Sequence, residues 1–236
     1  MNKDTIISFS QPKSVSAESF RALRTNLEFS LSADDAKVIL ITSSHVSEGK
    51  SLVSSNLATV FAMQNKKTVL IDGDMRRGVQ HKRFEVNNNN GLSSYLANIS
   101  DDKDFIKKTD IKNLFIITSG PVPPNPAELV STSRMKGLLE MLKEIFDIII
   151  IDGAPVLPVT DSVILSAIVD RVVVVASYGE TRKDELKTTH LALKNAGAKI
   201  AGVVLNKVSF KGKGYSKYSK YGGGYYGSYS QYTYTK

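Results

Sequence analysis

A short loop suited to binding phosphate follows the first apolar run of the chain. It reads SSHVSEGKS and ends in Gly49, Lys50 and Ser51, with a helical pattern directly behind it. Backbone N–H groups of such a loop hold phosphate oxygens, the lysine reaches the β- and γ-phosphates, and the serine hydroxyl ligates Mg²⁺. This order predicts a nucleotide site, although Ser44 replaces the glycine that usually opens the pattern. The alternative is a chance EGKS on the surface, which fits poorly between a strand and a helix.

Three aspartates close two later apolar runs. Asp72 and Asp74 end VLIDGD, and Asp152 ends IIIID. Because the carboxyl ends of parallel strands meet at one edge of a sheet, we expect these carboxylates beside the phosphate loop. One or two of them would complete an Mg²⁺ site with Ser51, and another would accept a proton from an incoming hydroxyl. Taken singly, each aspartate could instead cap a helix or form a turn.

Asn206 ends the last apolar run, in VVLNK. At the same edge of the sheet its amide would be able to bind the edge of a purine ring. The alternative is an ordinary turn residue, since asparagine is common in turns.

The apolar runs themselves have the pattern of strands buried on both faces. They are rich in β-branched residues and nearly continuous, which is typical of a parallel sheet, and helical patterns lie between them. This alternation predicts a doubly wound α/β fold with a mostly parallel sheet. The predicted strands are Val38–Ser43, Thr68–Asp74, Leu114–Gly120, Asp147–Asp152, Arg171–Ser177 and Ile200–Asn206. The predicted helices are Leu52–Gln64, Met135–Phe146, Asp161–Val169 and Arg182–Asn195.

Composition excludes several kinds of protein and of site. The chain has no cysteine, so it has no disulfide and no thiolate metal site. No apolar run approaches the roughly 18 residues of a membrane span, and the first residues are unlike a secretory signal, so we expect a cytoplasmic protein. The net charge of +8 comes from the end of the chain, because nine lysines and no acidic residue follow Glu185. A basic body that binds nucleic acid is therefore not expected.

Eight of the ten tyrosines lie in the last stretch, KGYSKYSKYGGGYYGSYSQYTYTK. Its other residues cannot form an apolar core, so we expect this segment to be disordered. Disordered segments are usually poor in aromatic residues, so disorder alone does not explain the tyrosines. We expect a helical N-terminal lead at residues 1–37, a nucleotide-binding domain at 38–209 and the tyrosine-rich segment at 210–236.

In combination, these motifs resemble the bacterial tyrosine kinases of the cytoplasmic type found in Gram-positive capsule and exopolysaccharide systems. The resemblance covers almost the whole chain and includes EGKS, VLIDGDMR, IIIIDGAPV, SGPVPPNPAEL (Ser119–Leu129), ESFRALRTN and the tyrosine-rich end. It implies a P-loop ATPase-like fold, ATP and Mg²⁺ as cofactors, and transfer of the γ-phosphoryl group to tyrosine. The implied phosphorylation sites are Tyr215, Tyr218, Tyr221, Tyr225, Tyr226, Tyr229, Tyr232 and Tyr234.

The resemblance also implies a role for each matched residue. Asp72 would activate the tyrosine hydroxyl, and Arg76 stands where the family has an arginine after the second aspartate. The implied catalytic residues are Lys50, Asp72, Asp74 and Arg76, and the implied metal-site residues are Ser51, Asp74 and Asp152. The implied nucleotide-binding residues are Ser47, Glu48, Gly49, Lys50, Ser51, Leu52 and Asn206. The chain departs from the family at His45-Val46-Ser47, where a glycine is usual at position 47, and at Gly153-Ala154.

The N-terminal ESFRALR spaces Glu18, Arg21 and Arg24 three residues apart, which puts them on one face of a helix. The resemblance implies that this face joins neighbouring subunits into a ring, and the alternative is a solvated helix with i,i+3 ion pairs. It further implies phosphorylation in trans and recruitment to the inner face of the plasma membrane by a separate membrane activator. A protein tyrosine phosphatase and polysaccharide-biosynthesis enzymes are the other implied partners.

Two other interpretations stay open. One is a positioning ATPase of the plasmid-partition or septum-placement type, which shares the fold but carries a signature lysine where this chain has His45. The other is a non-catalytic adaptor whose tyrosine-rich end binds nucleic acid or polysaccharide by stacking. The segment Ser119–Leu129 has four prolines and predicts a rigid loop before a helix capped near Asn125, without an apparent function.

Overall fold

The computed structural model describes residues 6–32, 37–99 and 105–208. A seven-stranded sheet has the order β3-β4-β2-β5-β1-β6-β7, and its neighbouring strands are parallel except for the pair β3 and β4. The strands are β1 (Val38–Ser43), β2 (Thr68–Asp72), β3 (Ile106–Lys108), β4 (Leu114–Ile117), β5 (Ile148–Asp152), β6 (Arg171–Ser177) and β7 (Ile200–Asn206). The described helices are α1 (Ile7–Ser10), α2 (Val15–Ser32), α3 (Lys50–Ala62), α4 (Gln80–Phe84), α5 (Leu92–Leu96), α6 (Pro126–Val130), α7 (Ser133–Ile145), α8 (Asp161–Ser166) and α9 (Lys183–Asn195).

Both faces of the sheet are covered by helices, which confirms the predicted doubly wound α/β fold. On one face Val38 and Leu40 of β1 belong to a core cluster that includes residues of α7, α8 and α9. On the other face Ile39 and Ile41 belong to a second cluster with residues of α2 and α3. Alternate side chains of a strand point to opposite faces, so a strand buried on both sides must be apolar throughout.

The N-terminal segment shares the second of these cores. Ile6, Leu27 and Leu31 are buried in it, and the backbone N–H of Ser8 donates to Asn56 Oδ1 of α3 at 2.9 Å. The chain divides into one unit at Met1–Asn206 and a second at Lys207–Lys236. The eight tyrosines expected to be phosphorylated lie outside the described residues.

Several features of the sheet differ from the prediction, and one is that β4 ends at Ile117 rather than at Gly120. β2 ends at Asp72 rather than Asp74, because the N–H of Gly73 donates to the backbone oxygen of Asp152 and a turn follows. β3 was not predicted, since three partly exposed residues form no apolar run. β7 is not buried on both faces: it lies at the edge of the sheet, and several of its side chains are exposed.

Within the described ranges, no helix is both long and apolar enough to cross a bilayer. Helix α6 begins at Pro126, directly after Asn125, as the proline-rich segment predicts. The side chain of Asn125 makes no capping hydrogen bond, so the helix start depends on the proline rather than on a cap.

Candidate active site: a phosphate loop beside three carboxylates

The carboxyl ends of β1, β2 and β5 bring the loop and the carboxylates together. Asp72 and Asp152 end adjacent parallel strands and are paired in the register of the sheet. Asp74 lies two residues beyond β2, in a turn where the N–H of Arg77 donates to its Oδ1 atom at 3.0 Å. All three carboxylates are buried, so the expected convergence at one edge of the sheet occurs.

Lys50 connects the loop to this cluster. It opens α3 and places Nζ 3.0 Å from Asp74 Oδ2, with both side chains almost inaccessible to water. Burial favours a neutral amine and would lower the pKa of Lys50, but the charges of Asp152, Asp74 and Asp72 outweigh it and raise that pKa. The lysine is therefore cationic at physiological pH and supplies positive charge where phosphate would bind.

Asp72 and Asp152 each have one oxygen engaged and one without a partner. Asp72 Oδ2 accepts from the backbone N–H of Gln80 at 2.9 Å, and Asp152 Oδ2 accepts from Gln80 Nε2 at 2.8 Å. Neither Oδ1 atom has a hydrogen-bond partner among the described residues. Burial, reinforced by the charge of Asp152, raises the pKa of Asp72 well above its usual value. Burial also raises the pKa of Asp152, against the opposing charge of Lys50 and hydrogen bonds from Gln80 and Ser51.

The phosphate loop is held in a conformation with two left-handed residues. Ser47 has φ 64°, at the position where a glycine was expected, and Gly49 has φ 100°. A Cβ on Gly49 would stand 1.9 Å from Asn206 Nδ2, so only glycine fits there. Asn206 donates from that nitrogen to the backbone oxygen of Glu48 at 2.9 Å. Asn206 thus holds the loop, and its expected contact with a purine stays a prediction.

The buried carboxylate of Glu48 holds the loop through two hydrogen bonds. Its Oε2 atom accepts from the N–H of His45 at 2.9 Å, and its Oε1 atom accepts from the Thr181 hydroxyl. Ser44, also buried, accepts from the hydroxyl of Thr189 in α9 at 2.8 Å. His45 Nε2 lies 3.3 Å from Oε1 of Glu185, which also belongs to α9. The segment that begins α9 therefore supports the loop, which the sequence did not indicate.

The remaining predicted site residues lie at the periphery. Leu52 is half-buried in the first turn of α3. Its backbone N–H donates to the backbone oxygen of Gly49 at 3.1 Å. Arg76 is exposed by 40 % and lies 3.3 Å from Asp161 Oδ2, whose side chain is buried. The structure therefore pairs Arg76 with Asp161 rather than with the three predicted carboxylates.

The proposed subunit face is only partly open. Arg21 Nη2 lies 2.6 Å from Glu18 Oε2 and also donates to the backbone oxygen of Pro12 at 2.8 Å. Arg24 Nη1 donates to the backbone oxygen of Val60 in α3 at 3.2 Å, and its side chain is exposed by only 11 %. Glu18 and Arg21 thus form the predicted i,i+3 pair, whereas Arg24 is turned toward α3 of the same chain.

The carboxylates suit an Mg²⁺ ion that arrives with nucleotide. In the part of the chain that the structure describes, no group of three or more acidic or histidine side chains forms a metal cage. Mg²⁺ commonly uses one or two carboxylates together with substrate phosphates and waters. The Oδ1 atom of Asp152, which has no hydrogen-bond partner among the described residues, is an oxygen donor of that kind.

Two further groups at this site were not predicted from the sequence. Gln80 and Arg83 both lie in the five-residue helix α4, and Gln80 is fully buried against the carboxylates. Burial lowers the pKa of Arg83, and the charges of Asp152 and Asp72 oppose that change, which puts a cation near the cluster. Their only signal was proximity to VLIDGDMR, and that does not distinguish them from their neighbours.

The chain is similar to known proteins over most of its length. The AAA domain family matches residues 36–188. The tyrosine-protein kinase YwqD of Bacillus subtilis is 40 % identical over 223 residues, which cover 94 % of this chain and 91 % of YwqD. The crystal structure of the chimerical protein CapA2B2 is 40 % identical, covers 87 % of this chain and 90 % of that chain, and has a TM-score of 0.82.

More distant structures agree on the fold. The kinase domain of the Escherichia coli tyrosine kinase Etk is 35 % identical, with a TM-score of 0.85 over 88 % of this chain and 81 % of that chain. The cell division ATPase MinD of Pyrococcus furiosus is 23 % identical, with a TM-score of 0.62 over 72 % of this chain and 71 % of MinD. At that identity the likeness to MinD concerns the fold alone.

Proposed function

This chain belongs to the bacterial tyrosine-protein kinases, and we propose that it transfers the γ-phosphoryl group of ATP to tyrosine hydroxyls, including those of its own C-terminal segment in a neighbouring copy. The observation that carries the proposal is the ion pair of Lys50 and Asp74 beside Asp72 and Asp152, at the mouth of a phosphate loop. Phosphoryl transfer depends on positioning and charge neutralisation, and this cluster supplies groups for both.

The loop residues would bind the nucleotide. Backbone N–H groups from Ser47 to Leu52 would hold phosphate oxygens at the N-terminus of α3, and Lys50 would exchange Asp74 for the β- and γ-phosphates. Ser51, Asp74 and Asp152 would hold Mg²⁺, which when bound neutralises charge on the phosphates. Asn206 would contact the purine with the part of its amide that does not hold Glu48.

Asp72 would accept the proton of the tyrosine hydroxyl. An ordinary tyrosine has a pKa of about 10, so a carboxylate with a raised pKa is a better proton acceptor than an ordinary one. Burial and the charge of Asp152 raise the pKa of Asp72 in this way, while the charge of Lys50 opposes the rise. Arg76 would add positive charge at the edge of the site.

The C-terminal segment would be the first substrate and a switch. Each phosphate on Tyr215, Tyr218, Tyr221, Tyr225, Tyr226, Tyr229, Tyr232 or Tyr234 adds about −1.5 to −2 charges to a segment that is now basic. We expect this reversal to separate subunits that are joined through the Glu18 and Arg21 face. Sedimentation velocity before and after phosphorylation measures it, and an unchanged oligomer in the modified sample would contradict it.

The proposal extends to the cellular context that the resemblance implies. A membrane activator would recruit the chain to the inner face of the plasma membrane and raise its activity, and a protein tyrosine phosphatase would reverse the modification. Enzymes of capsular or exopolysaccharide synthesis would be further substrates. Equal turnover with and without the activator's cytoplasmic segment would count against this arrangement.

The test is incubation with ATP and Mg²⁺ followed by anti-phosphotyrosine blotting. Wild type should become labelled, whereas Lys50→Met and a chain that ends at Phe210 should not, and Lys66→Met, at an exposed lysine, serves as the matched control. ATP hydrolysis without any phosphotyrosine, even with activator present, would favour a positioning ATPase. Absence of nucleotide binding would favour the non-catalytic adaptor.

A further inference from the structure

Gln80 contacts residues of three separate motifs. Its Nε2 atom lies 2.8 Å from Asp152 Oδ2, 3.0 Å from the backbone oxygen of Ser51 and 3.2 Å from Ser54 Oγ. Its backbone N–H donates to Asp72 Oδ2 at 2.9 Å. The side chain is fully buried, so water does not compete for these contacts. One residue of α4 thereby links the phosphate-loop helix α3 to the ends of β2 and β5.

These contacts engage one oxygen of each carboxylate and leave the other without a partner among the described residues. Gln80 engages the Oδ2 atom of Asp72 and of Asp152, so the Oδ1 atoms are the ones left for other partners. The terminal torsion of an aspartate is otherwise broad, and a carboxylate without such a bond would present either oxygen. A hydrogen bond to Oδ2 restricts that rotation.

The side chain of Gln80 also leaves an oxygen of its own. Its Oε1 atom is buried and has no hydrogen-bond partner among the described residues, like the two Oδ1 atoms. Buried oxygens without a donor are rare in folded proteins and call for a ligand or an ordered water. Three such oxygens belong to residues joined by the hydrogen bonds of Gln80, and the one on Asp152 is of the kind that Mg²⁺ prefers.

On the basis of the proposed function, we propose that Gln80 is the positioning residue of the Mg²⁺–nucleotide site. Its Nε2 donor fixes the metal-site carboxylate of Asp152, and its backbone N–H fixes the base Asp72. Gln80 touches neither the reacting atoms nor, in this assignment, the phosphates. Its substitution should therefore affect the contribution of Mg²⁺ to binding and the transfer step, rather than binding of the nucleotide alone.

The test compares Gln80→Met with Gln11→Met, in the full chain. Methionine keeps the length and apolar stem of glutamine and removes the amide, and Gln11 is an exposed glutamine of the N-terminal segment. The affinity for a fluorescent ADP analogue is measured by titration with Mg²⁺ and with EDTA. Mg²⁺ should raise the affinity of wild type for the analogue by a certain factor, and we expect this factor to be at least about fivefold smaller in Gln80→Met. The affinity in EDTA should stay within about twofold of wild type, because only a hydrogen bond to a charged group is removed. The control should match wild type.

Kinase turnover and stability separate positioning from a structural role. We expect kcat of Gln80→Met to fall at least about tenfold, with KM for ATP changed far less. If affinity falls equally with Mg²⁺ and with EDTA while the melting temperature drops, Gln80 is only structural and the proposal is overturned. The proposal is also overturned if Mg²⁺ raises the affinity of Gln80→Met by a factor within twofold of that for wild type.

A second variant covers the case in which Gln80→Met does not fold. Gln80→Asn keeps an amide and the backbone N–H but withdraws the donor from Asp152, so the same loss of the Mg²⁺ gain is expected. Wild-type Mg²⁺ dependence in a folded Gln80→Asn would overturn the proposal. The binding readout needs no phosphotransfer, so a wild-type chain that forms no phosphotyrosine refutes the proposed function without deciding the role of Gln80.

Discussion

The amide nitrogen of Asn206 lies 2.9 Å from the backbone oxygen of Glu48 and fills the space that a side chain on Gly49 would need. The end of the last strand and the tip of the phosphate loop are therefore fitted to each other. A glycine at position 49 and an amide at position 206 are two parts of one arrangement.

This arrangement predicts non-additive effects of substitution on nucleotide affinity. Asn206→Ala removes one hydrogen bond, so we expect the dissociation constant for ADP to rise about three- to tenfold. Gly49→Ala should cost more, because it adds a clash with Asn206 to a left-handed φ of 100°. The double variant should lose less binding free energy than the two single variants lose in sum, because Asn206→Ala removes the clash. Strict additivity in fluorescence titrations would contradict the fit.

Asp72→Asn should abolish transfer and stabilise the fold at alkaline pH. The pKa of Asp72 is raised in the folded state, so that state binds its proton more tightly than the unfolded chain does. The resulting stabilisation is complete below the unfolded pKa of about 3.9 and is lost as the pH rises through the folded pKa. The variant avoids this loss, so its melting temperature should exceed that of wild type by about 3 °C or more at pH 8. The difference should shrink toward pH 4.

The control for this experiment is Asp110→Asn, which changes an exposed carboxylate. Thermal unfolding of the three proteins is followed by circular dichroism from pH 4 to pH 8. A difference for Asp72→Asn that stays constant with pH would show that burial of this charge is not its origin.

Thr181→Val should weaken nucleotide binding from outside the loop. The Thr181 hydroxyl donates to Glu48 and accepts from the N–H of Ser177 at 2.7 Å, and valine keeps the shape while removing both bonds. We expect the dissociation constant for ADP to rise about tenfold, at the lower end of what a hydrogen bond to a charged group contributes. Thr188→Val is the matched control, since its hydroxyl bonds only within α9 and is exposed. Equal affinities in isothermal titration calorimetry would rule out support of the loop by this side chain.

Arg76→Met should lower both stability and turnover. Asp161 is buried and depends on Arg76 for its cation, so we expect a loss of about 1–3 kcal/mol in the free energy of unfolding, reduced by the exposure of Arg76. Arg77→Met provides the control, because Arg77 is the exposed neighbour. Urea unfolding measures the first effect and the rate of tyrosine phosphorylation the second. If Arg76→Met is destabilised but its kcat is unchanged, the ion pair of Arg76 and Asp161 is only structural and Arg76 has no part in catalysis.

The strands and the carboxylates were predictable because their signals are local. A strand such as Ile148–Asp152 is buried on both faces, so burial appears in the sequence as an unbroken apolar run, and a polar residue at its end marks the edge of the sheet. The phosphate loop is equally local, since its residues act within a few positions of one another.

The contacts that hold the site together were not predictable in this way. Gln80 reaches Asp152 across 72 positions and Thr181 reaches Glu48 across 133, and neither residue type carries a motif. The edge strand β3 is too short and too exposed for a periodic signal. Arg24 was assigned with Glu18 to one outward face, but packing of α2 against α3 turns its guanidinium toward Val60.

The order of strands in the sheet also determines when the protein becomes able to bind a nucleotide during synthesis. β1 emerges first from the ribosome, yet its neighbours in the sheet are β5 and β6, which follow more than 100 residues later. The phosphate loop follows β1 and therefore lacks its contacts until Asp152, Thr181 and finally Asn206 have been synthesised. Nascent chains halted before residue 200, which lack β7 and Asn206, should retain nucleotide poorly, and such long-range closure is intrinsically slow.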